Sequence, residues 1–354
     1  MTDTKLIKLL ALNGLWAPSA DNSQPWRFDW DGHSLVIGYD SERVAGHTFP
    51  PESQATLISA GCAIESIVKF ANTIGLEVDM AYRPQGTGRS HTYATITPRL
   101  SPVPAPETAN QPVTGRHTNR CAYKSKPLPA PLLTTIGGDT EGKARVHTFD
   151  QTESVRQIWR LVRSATEIRF QTREVHEWLG KSLRFGRDGR ESGDGLHVST
   201  LCLPPGGGLL LRFVASWPRM KRLNRIGAYK LLATVDAQPV KKAPAMLAFT
   251  APNTPDGALD AGRLLDRVWT HLNNEGVACH PYYVVADQLS RLAENTVPDH
   301  LTGQARALQE ECGQLLNLRQ GETLMMFLRT GYPTRQAPPS ARLPLERVFR
   351  NQAG

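Results

Sequence analysis

The sequence lacks several features that would assign a class at once. It has no run of about 18 uninterrupted apolar residues, so no membrane-spanning helix is expected. Its five cysteines, at 62, 121, 202, 279 and 312, are odd in number and include no C-x-x-C pair. Neither a disulfide framework nor a zinc knuckle is therefore expected, and reduced thiols in a cytoplasmic protein are the simplest reading. His176-Glu177 lacks the second histidine of H-E-x-x-H, so no zinc hydrolase and no metal site is expected. There is no G-x-S-x-G nucleophile elbow. Gly137 to Lys143 has phosphate-loop spacing, but Ala144 stands where Mg²⁺ needs a serine or threonine, and strand-like Arg145–Phe149 follows instead of a helix. That stretch reads as a hairpin turn. Gly86-Thr87-Gly88 meets His91 where a dinucleotide fingerprint has its third glycine. At the N-terminus, Lys5 and Lys8 precede an apolar stretch, yet Asp3 and Asn13-Gly14 break the signal-peptide pattern, and none is expected.

With 40% hydrophobic and 21% charged residues, the 354-residue chain has ordinary globular composition. Its net charge is +8. Residues 181–230 hold ten basic residues against three acidic ones, a net of +7, so the remainder is close to neutral. That distribution argues against nucleic acid as a partner for the molecule as a whole. The basic stretch reads either as a solvated mobile lid or as an attractor for an anionic substrate, NADPH phosphates or an acidic partner.

Residues 4–16 have helical apolar spacing and stop at Pro18. A hairpin follows, Trp26–Trp30 and Leu35–Tyr39, turning at Asp31-Gly32. A helix at 53–74 ends at Gly75, and strands are expected at 76–82 and 92–97. A proline-rich linker occupies 101–112. Helices are expected at 152–170, 258–275 and 301–318, and strands at 245–250, near 277–285 and at 322–330. Residues 180–208 are glycine-rich and read as loop, 209–235 carry broken helical signals, and 333–349 form a proline-rich tail.

An internal repeat organises the chain. Gly61 to Gly75 and Gly262 to Gly276 are both fourteen-residue intervals, within which Ile64 matches Leu265, Glu65 matches Asp266, Ile67 matches Val268 and Asn72 matches Asn273. This is either coincidence between two glycine-capped helices or the sign of two related α+β halves. Such halves pack as a pseudo-twofold dimer within one chain.

Two polar segments stand out. Arg116-His117-Thr118-Asn119-Arg120 places two guanidinium forks, suited to phosphate, within five residues. A solvated surface turn is the alternative. Pro18-Ser19-Ala20-Asp21-Asn22-Ser23-Gln24 combines small residues, which admit a planar ligand to the backbone, with side-chain donors. A helix-ending Asx turn is the alternative there.

On these residues the chain resembles the FMN-dependent nitroreductase family. The segment from Ala17 to Phe28 is similar to the family's A-P-S-x-x-N-x-Q-P-W-x-F signature, and 116–120 is similar to its phosphate-holding arginine segment. Arg329 to Pro333 resembles its late strand ending in G-Y-P, and 340–346 its basic tail. The resemblance covers most of 5–165 and 245–349. The first motif lies only in the first half and the arginine motif only in the second, which is similar to fused-pair members with one composite flavin site per chain.

The resemblance implies an α+β nitroreductase-like fold of two halves, 1–100 and 113–354, joined by linker 101–112, with a basic lid inserted at about 171–244. It implies non-covalent FMN held at the phosphate by Arg116, His117, Thr118, Arg120 and Arg342, and along the ring and ribityl chain by Pro18, Ser19, Ala20 and Asn22. The activity implied is oxidoreduction, a hydride passing between flavin and a small conjugated substrate with NAD(P)H as reductant. No catalytic residue is assigned, because flavin carries the redox chemistry. Two departures stand out: His280 to Val284 occupies a place where many members carry Glu-Gly, and Ser340 replaces a basic residue. The first leaves the reductant open and the second weakens one phosphate contact; the missing Glu-Gly and the long lid support, as the alternative, a flavin-sequestering protein with little turnover. The expected partner is a small molecule, an anionic one among the candidates, with no membrane partner. A monomer suffices if the dimer is internal.

Overall fold

The computed structural model describes residues 4–82, 91–99 and 115–353. Linker 101–112 and Gly86-Thr87-Gly88 lie outside the described residues. The fold is mixed α+β. A first sheet runs in the spatial order Phe349–Asn351, Trp26–Trp30, Leu35–Tyr39, Thr92–Pro98, Val78–Tyr82. A second runs Ala278–Tyr282, Glu322–Gly331, Ala245–Pro252, Ala144–Phe149, Thr140–Glu141. Neighbouring strands are antiparallel throughout both sheets except at one edge, where Phe349–Asn351 lies parallel to Trp26–Trp30 with Phe28 opposite Phe349. The C-terminal tail thus crosses back to complete the first sheet. Its local sequence carries no strand signal, because the partner is more than 300 residues away.

Two long helices join the sheets. Gln54–Thr73 starts at Ser53, whose side chain accepts the Thr56 amide, and ends before Gly75 at φ 70°. Pro255–Asn274 starts at Thr254, which accepts the Gly257 amide, and ends before Gly276 at φ 71°. The helices cross glycine on glycine. A Cβ on Gly61 would run into the Leu259 carbonyl and lie 3.0 Å from the Gly262 Cα, and one on Gly262 would strike the Ile58 carbonyl. Only a hydrogen at each position lets the backbones approach this closely. Polar contacts flank the crossing. Fully buried Asp266 takes Lys69 Nζ at 2.6 Å and Ser66 Oγ at 3.1 Å, while Glu65 takes Arg263 Nε at 3.0 Å. Glu65 and Asp266, matched in the repeat, each draw cations from the opposite helix.

One apolar core runs through this crossing, from Ile7, Leu10 and Phe28 through Ile64 and Ile67 to Leu265, Trp269 and Leu328. A second core, including Ile158, Val162, Val285, Ala305 and Phe327, covers the other face of the second sheet beneath helices Thr152–Gln171, Val284–Ala293 and Asp299–Leu316. Helix Val284–Ala293 departs from the expected longer strand: its β-branched opening reads as extended, but Val285, Ala286 and Leu289 recur at helical spacing and are buried.

Residues 171–244 fold more fully than their glycines suggest. Within the expected loop lie a helix, Gly186–Glu191, and a two-residue strand pair, Leu183–Arg184 with Leu196–His197. Helices Gly207–Val214, Trp217–Asn224 and Ala228–Lys241 follow. They close over a small apolar cluster of Phe170, Val214, Met220 and Ala233. A further correction concerns the thiols. Cys121 and Cys202 form a disulfide, whereas Cys62, Cys279 and Cys312 are free and buried. Spacing of 81 residues hides such a pair, which only tertiary structure brings together.

Candidate functional site

A cavity of about 660 Å³ lies where the helix-ending loop 16–22, segment 116–120, strand Ala278–Tyr282, the tail and residues 169–215 meet. All nine sequence-derived candidates line it: Pro18, Ser19, Ala20, Asn22, Arg116, His117, Thr118, Arg120 and Arg342. Its volume is in the range that small-molecule sites occupy, roughly 300–1,000 Å³.

The loop is held in an uncommon backbone conformation. Asp21, Asn22 and Gln24 all have positive φ, at 50°, 56° and 50°. Non-glycine residues persist there only when the surroundings over-determine them. Here they do. Ser19 Oγ accepts the Gln24 amide at 2.9 Å. Buried Gln24 donates from Nε2 to the Gly193 carbonyl at 2.9 Å and accepts the Leu343 amide at 3.0 Å. Asn22 Nδ2 donates to the carbonyls of Ala341 at 3.0 Å and Gly195 at 3.3 Å. Arg43 supports the loop from behind, donating to the carbonyls of Ser23, Gln24 and Trp26. The side chain of Ser19 is therefore engaged within the loop, and those of Asn22 and Gln24 tie it to residues 193–195 and to the tail. Trp16, Pro18, Ser19, Ala20, Asp21 and Asn22 of this loop line the cavity. Sequence reading found the loop but not Arg43, whose role depends on a fold contact.

Segment 116–120 is pinned to the second helix and second sheet. The His117 amide donates to Asn273 Oδ1 at 3.0 Å, Trp269 Nε1 donates to the His117 carbonyl at 3.2 Å, and the Asn119 amide donates to the Cys279 carbonyl at 2.9 Å. Asn119 is fully buried and caps its own turn, accepting the Cys121 amide at 2.9 Å. Asn273, one of the repeat matches, thereby orients the arginine segment.

The electrostatics are lopsided. Arg116 is buried, lies over the Trp269 ring at 4.6 Å and has Asp266 at 3.5 Å. Arg342 is only partly buried and has no carboxylate partner among the described residues. Its guanidinium donates to Asn22 Oδ1 at 2.9 Å and to the carbonyls of Leu15, Trp16 and Ala17 at 3.1, 3.0 and 3.2 Å. Arg116 donates to the same Trp16 carbonyl at 2.9 Å. Burial, reinforced by the like charge of Arg116, pushes Arg342 down to about 9. It remains a cation at neutral pH, but an expensive one unless an anion joins it. Arg120 is depressed likewise by burial, with Asp21 opposing, and its Nη1 is buried with no partner.

Three further features belong to the cavity wall. His280 has an unpartnered buried Nδ1 and is held neutral by burial and by Arg329 and Arg120. Phe49 makes edge contacts with Trp178 at 5.5 Å and Tyr283 at 5.8 Å, joining helix Arg173–Ser182 and the residue after strand Ala278–Tyr282 in one aromatic wall. No local motif announces that cluster. Tyr282 and Tyr283, whose phenols lie nearest in type to a proton donor, also line the cavity. Burial raises both far above the usual phenol value, so each is a protonated hydroxyl with little acidity. No group of three or more histidine, cysteine, aspartate or glutamate residues suited to a metal occurs among the described residues. No helix of the described residues is long and apolar enough to cross a membrane.

No protein-family model and no curated protein matches the chain. Among solved structures it is similar to several nitroreductase-like FMN proteins. The FMN-dependent nitroreductase NfnB of Mycobacterium smegmatis, solved in complex with NADPH, is 14% identical, with 67% of this chain and 95% of that one covered at a TM-score of 0.37. The FMN- and NADPH-dependent nitroreductase NfnB of sphigopyxis sp. strain HMH is 20% identical, with 66% and 94% covered at 0.34. The hypothetical oxidoreductase YcnD of Bacillus subtilis is 14% identical, with 66% and 69% covered at 0.35.

Proposed function

We propose that this chain is an FMN-dependent oxidoreductase of the nitroreductase type, with one flavin site built between two related halves, 1–100 and 113–354. The observation that carries this is the pair Arg116 and Arg342. The two guanidinium groups, Arg116 buried and Arg342 partly so, share the Trp16 carbonyl and have a single carboxylate, Asp266, between them. A phosphate dianion supplies the missing charge, and the buried Nε of Arg116, which has no hydrogen-bond partner, supplies a donor for it. The unpartnered Nη1 of Arg120 and Nδ1 of His280 supply two more polar atoms that a bound ligand can satisfy. The residues present therefore fit FMN. In support of the two-half arrangement stand the glycine-on-glycine crossing and the reciprocal roles of Glu65 and Asp266.

When bound, FMN supplies reversible hydride transfer. The chain's own residues bind, orient and exclude water. Arg116, His117, Thr118, Arg120 and Arg342 hold the phosphate end, and Pro18, Ser19, Ala20 and Asn22 shape the ring and ribityl side. Neutral His280 can exchange one hydrogen bond at Nδ1 with a bound molecule. The aromatic wall of Phe49, Trp178 and Tyr283 keeps the adjoining space dry for a small conjugated substrate, with NAD(P)H as the reductant. Any proton that substrate reduction requires comes from solvent or substrate, since the nearby phenols are too weak as acids.

The test compares FMN with riboflavin by fluorescence titration. FMN is expected to bind more tightly, and Arg342→Ala is expected to remove most of that advantage by weakening FMN far more than riboflavin. Equal affinity for both ligands in the unaltered protein would refute a phosphate site. A second reading, retention of flavin with little turnover, is favoured by the ties holding the lid: the Cys121–Cys202 disulfide and the bonds to Gly193 and Gly195. Steady-state NADPH oxidation with an artificial electron acceptor separates it from the first, because a storage protein turns over no faster than the free cofactor.

A further inference from the structure

The large hydrophobic side chains that stand exposed among the described residues all fall within 209–235. They are Leu209, Leu210 and Phe213 on helix Gly207–Val214, Ile226 in a turn, and Leu231 and Val235 on helix Ala228–Lys241. Ile226 is 82% exposed and Leu209 76%. Such a concentration in one segment marks an interaction face. The same stretch carries the chain's surplus positive charge. Of the three acids in 181–230, Asp194 is engaged by Arg184 at 3.0 Å and Glu191 by Arg187 at 2.8 Å. Arg212, Arg219, Lys221, Arg222, Arg225 and Lys230 have no carboxylate partner among the described residues.

We propose that this lid face docks on an anionic phospholipid bilayer. Three features choose that occupant. First, apolar and cationic residues interleave along the chain. Leu209-Leu210-Leu211 runs directly into Arg212-Phe213, and Arg225-Ile226 and Lys230-Leu231 follow. That is the composition of an interfacial segment whose cations reach headgroups while its apolar side chains enter the acyl boundary. A protein interface instead gathers an apolar centre inside a polar rim. Second, a second copy of the chain is disfavoured, because a twofold contact would press two sets of unpaired cations together. Third, Leu210 and Val235 are both exposed and both line the cavity. The docking face is thus continuous with the mouth of the site, and an apolar molecule dissolved in the bilayer could pass directly to it. Surface docking of this kind needs no spanning helix, and it does not depend on the flavin reading.

The experiment is co-sedimentation of the full chain with vesicles of phosphatidylcholine alone or mixed with phosphatidylglycerol, at low and high salt. Binding to the mixed vesicles is expected, weakened by salt, with little binding to phosphatidylcholine. Two triple variants follow, Leu209→Ser/Ile226→Ser/Leu231→Ser and Lys221→Gln/Arg222→Gln/Arg225→Gln. All six positions are exposed and lie outside the cavity wall, so far-UV circular dichroism should be unchanged. Each triple is expected to lower the partition coefficient at least about tenfold. No binding to mixed vesicles would overturn the proposal. So would undiminished binding by the apolar triple together with equal binding to duplex DNA, which would mark a polyanion surface. Self-association of the unaltered chain that the apolar triple abolishes would assign the face to a second copy instead.

Discussion

Arg342 shows how one side chain can connect fold and chemistry. It comes from the tail, yet its hydrogen bonds end on the carbonyls of residues 15–17 and on Asn22, so the same guanidinium that closes the cavity also anchors the last segment of the chain. Its replacement by alanine is expected to weaken FMN by about 1.5–3 kcal/mol, roughly ten- to a hundredfold, as loss of charge-assisted bonds does. The riboflavin affinity of the same variant is the control. Asp21 makes a different residue-scale case. Burial raises its carboxyl pKa, with the Ser182 hydrogen bond and the charges of Arg169 and Arg120 opposing. The folded state therefore holds this proton more tightly than the unfolded one. Stability falls as pH rises from the ordinary carboxyl value, about 3.9, through the raised folded value, and the penalty remains at neutral pH. Asp21→Asn removes that penalty, and asparagine tolerates the φ of 50°. The variant should be at least as stable at pH 7 in urea denaturation and flatter across the acid range; a lower midpoint at pH 7 would contradict this.

At the scale of elements, the crossing of the two long helices is the most constrained contact. Gly61→Ala must displace the Leu259 carbonyl or separate the helices, and a cost of about 1–3 kcal/mol or more is expected in chemical denaturation. An unchanged midpoint would mean that the helices do not meet as described. The Cys121–Cys202 link ties the end of the arginine segment to residues 171–244. Its reduction, or Cys202→Ser, is expected to cost about 2–4 kcal/mol and to expose residues 193–206 to limited proteolysis. Five titratable thiols in the denatured, unreduced protein would show that the link does not form. These elements also show what local sequence can carry. The first helix, the hairpin, and both central helices with their glycine stops announce themselves through period and caps, and they were legible. Strand Phe349–Asn351 was not, because its pairing with Trp26–Trp30 is a long-range event following a proline-rich stretch. Nor was the folded structure of 171–244, whose glycines at 186, 193 and 195 serve positive φ within folded turns rather than a loose loop. The candidate site was legible as two motifs. Their meeting around one cavity, and the diversion of Ser19, Asn22 and Gln24 to holding the loop, depended on contacts from residues 193–195 and the tail.

At the scale of the whole molecule, the chain closes on itself. Its tail completes the first sheet after supplying Arg342 to the cavity, so stability and cofactor retention should be coupled. Phe349 is buried where that strand docks, and Phe349→Ala is expected to cost about 3–5 kcal/mol while also accelerating cofactor loss. Loss of stability without any change in retention would separate the two. Residues 209–235 add an apolar and cationic surface beside a cavity that Arg116, Arg120 and Arg342 line. The central claim, that this cavity is a flavin site with redox function, is tested most directly by the visible absorbance spectrum of the purified protein, as isolated and after soaking in FMN, followed by NADPH without oxygen. The account predicts a flavin spectrum that survives gel filtration and bleaches on addition of NADPH. A colourless protein that takes up no FMN would contradict it.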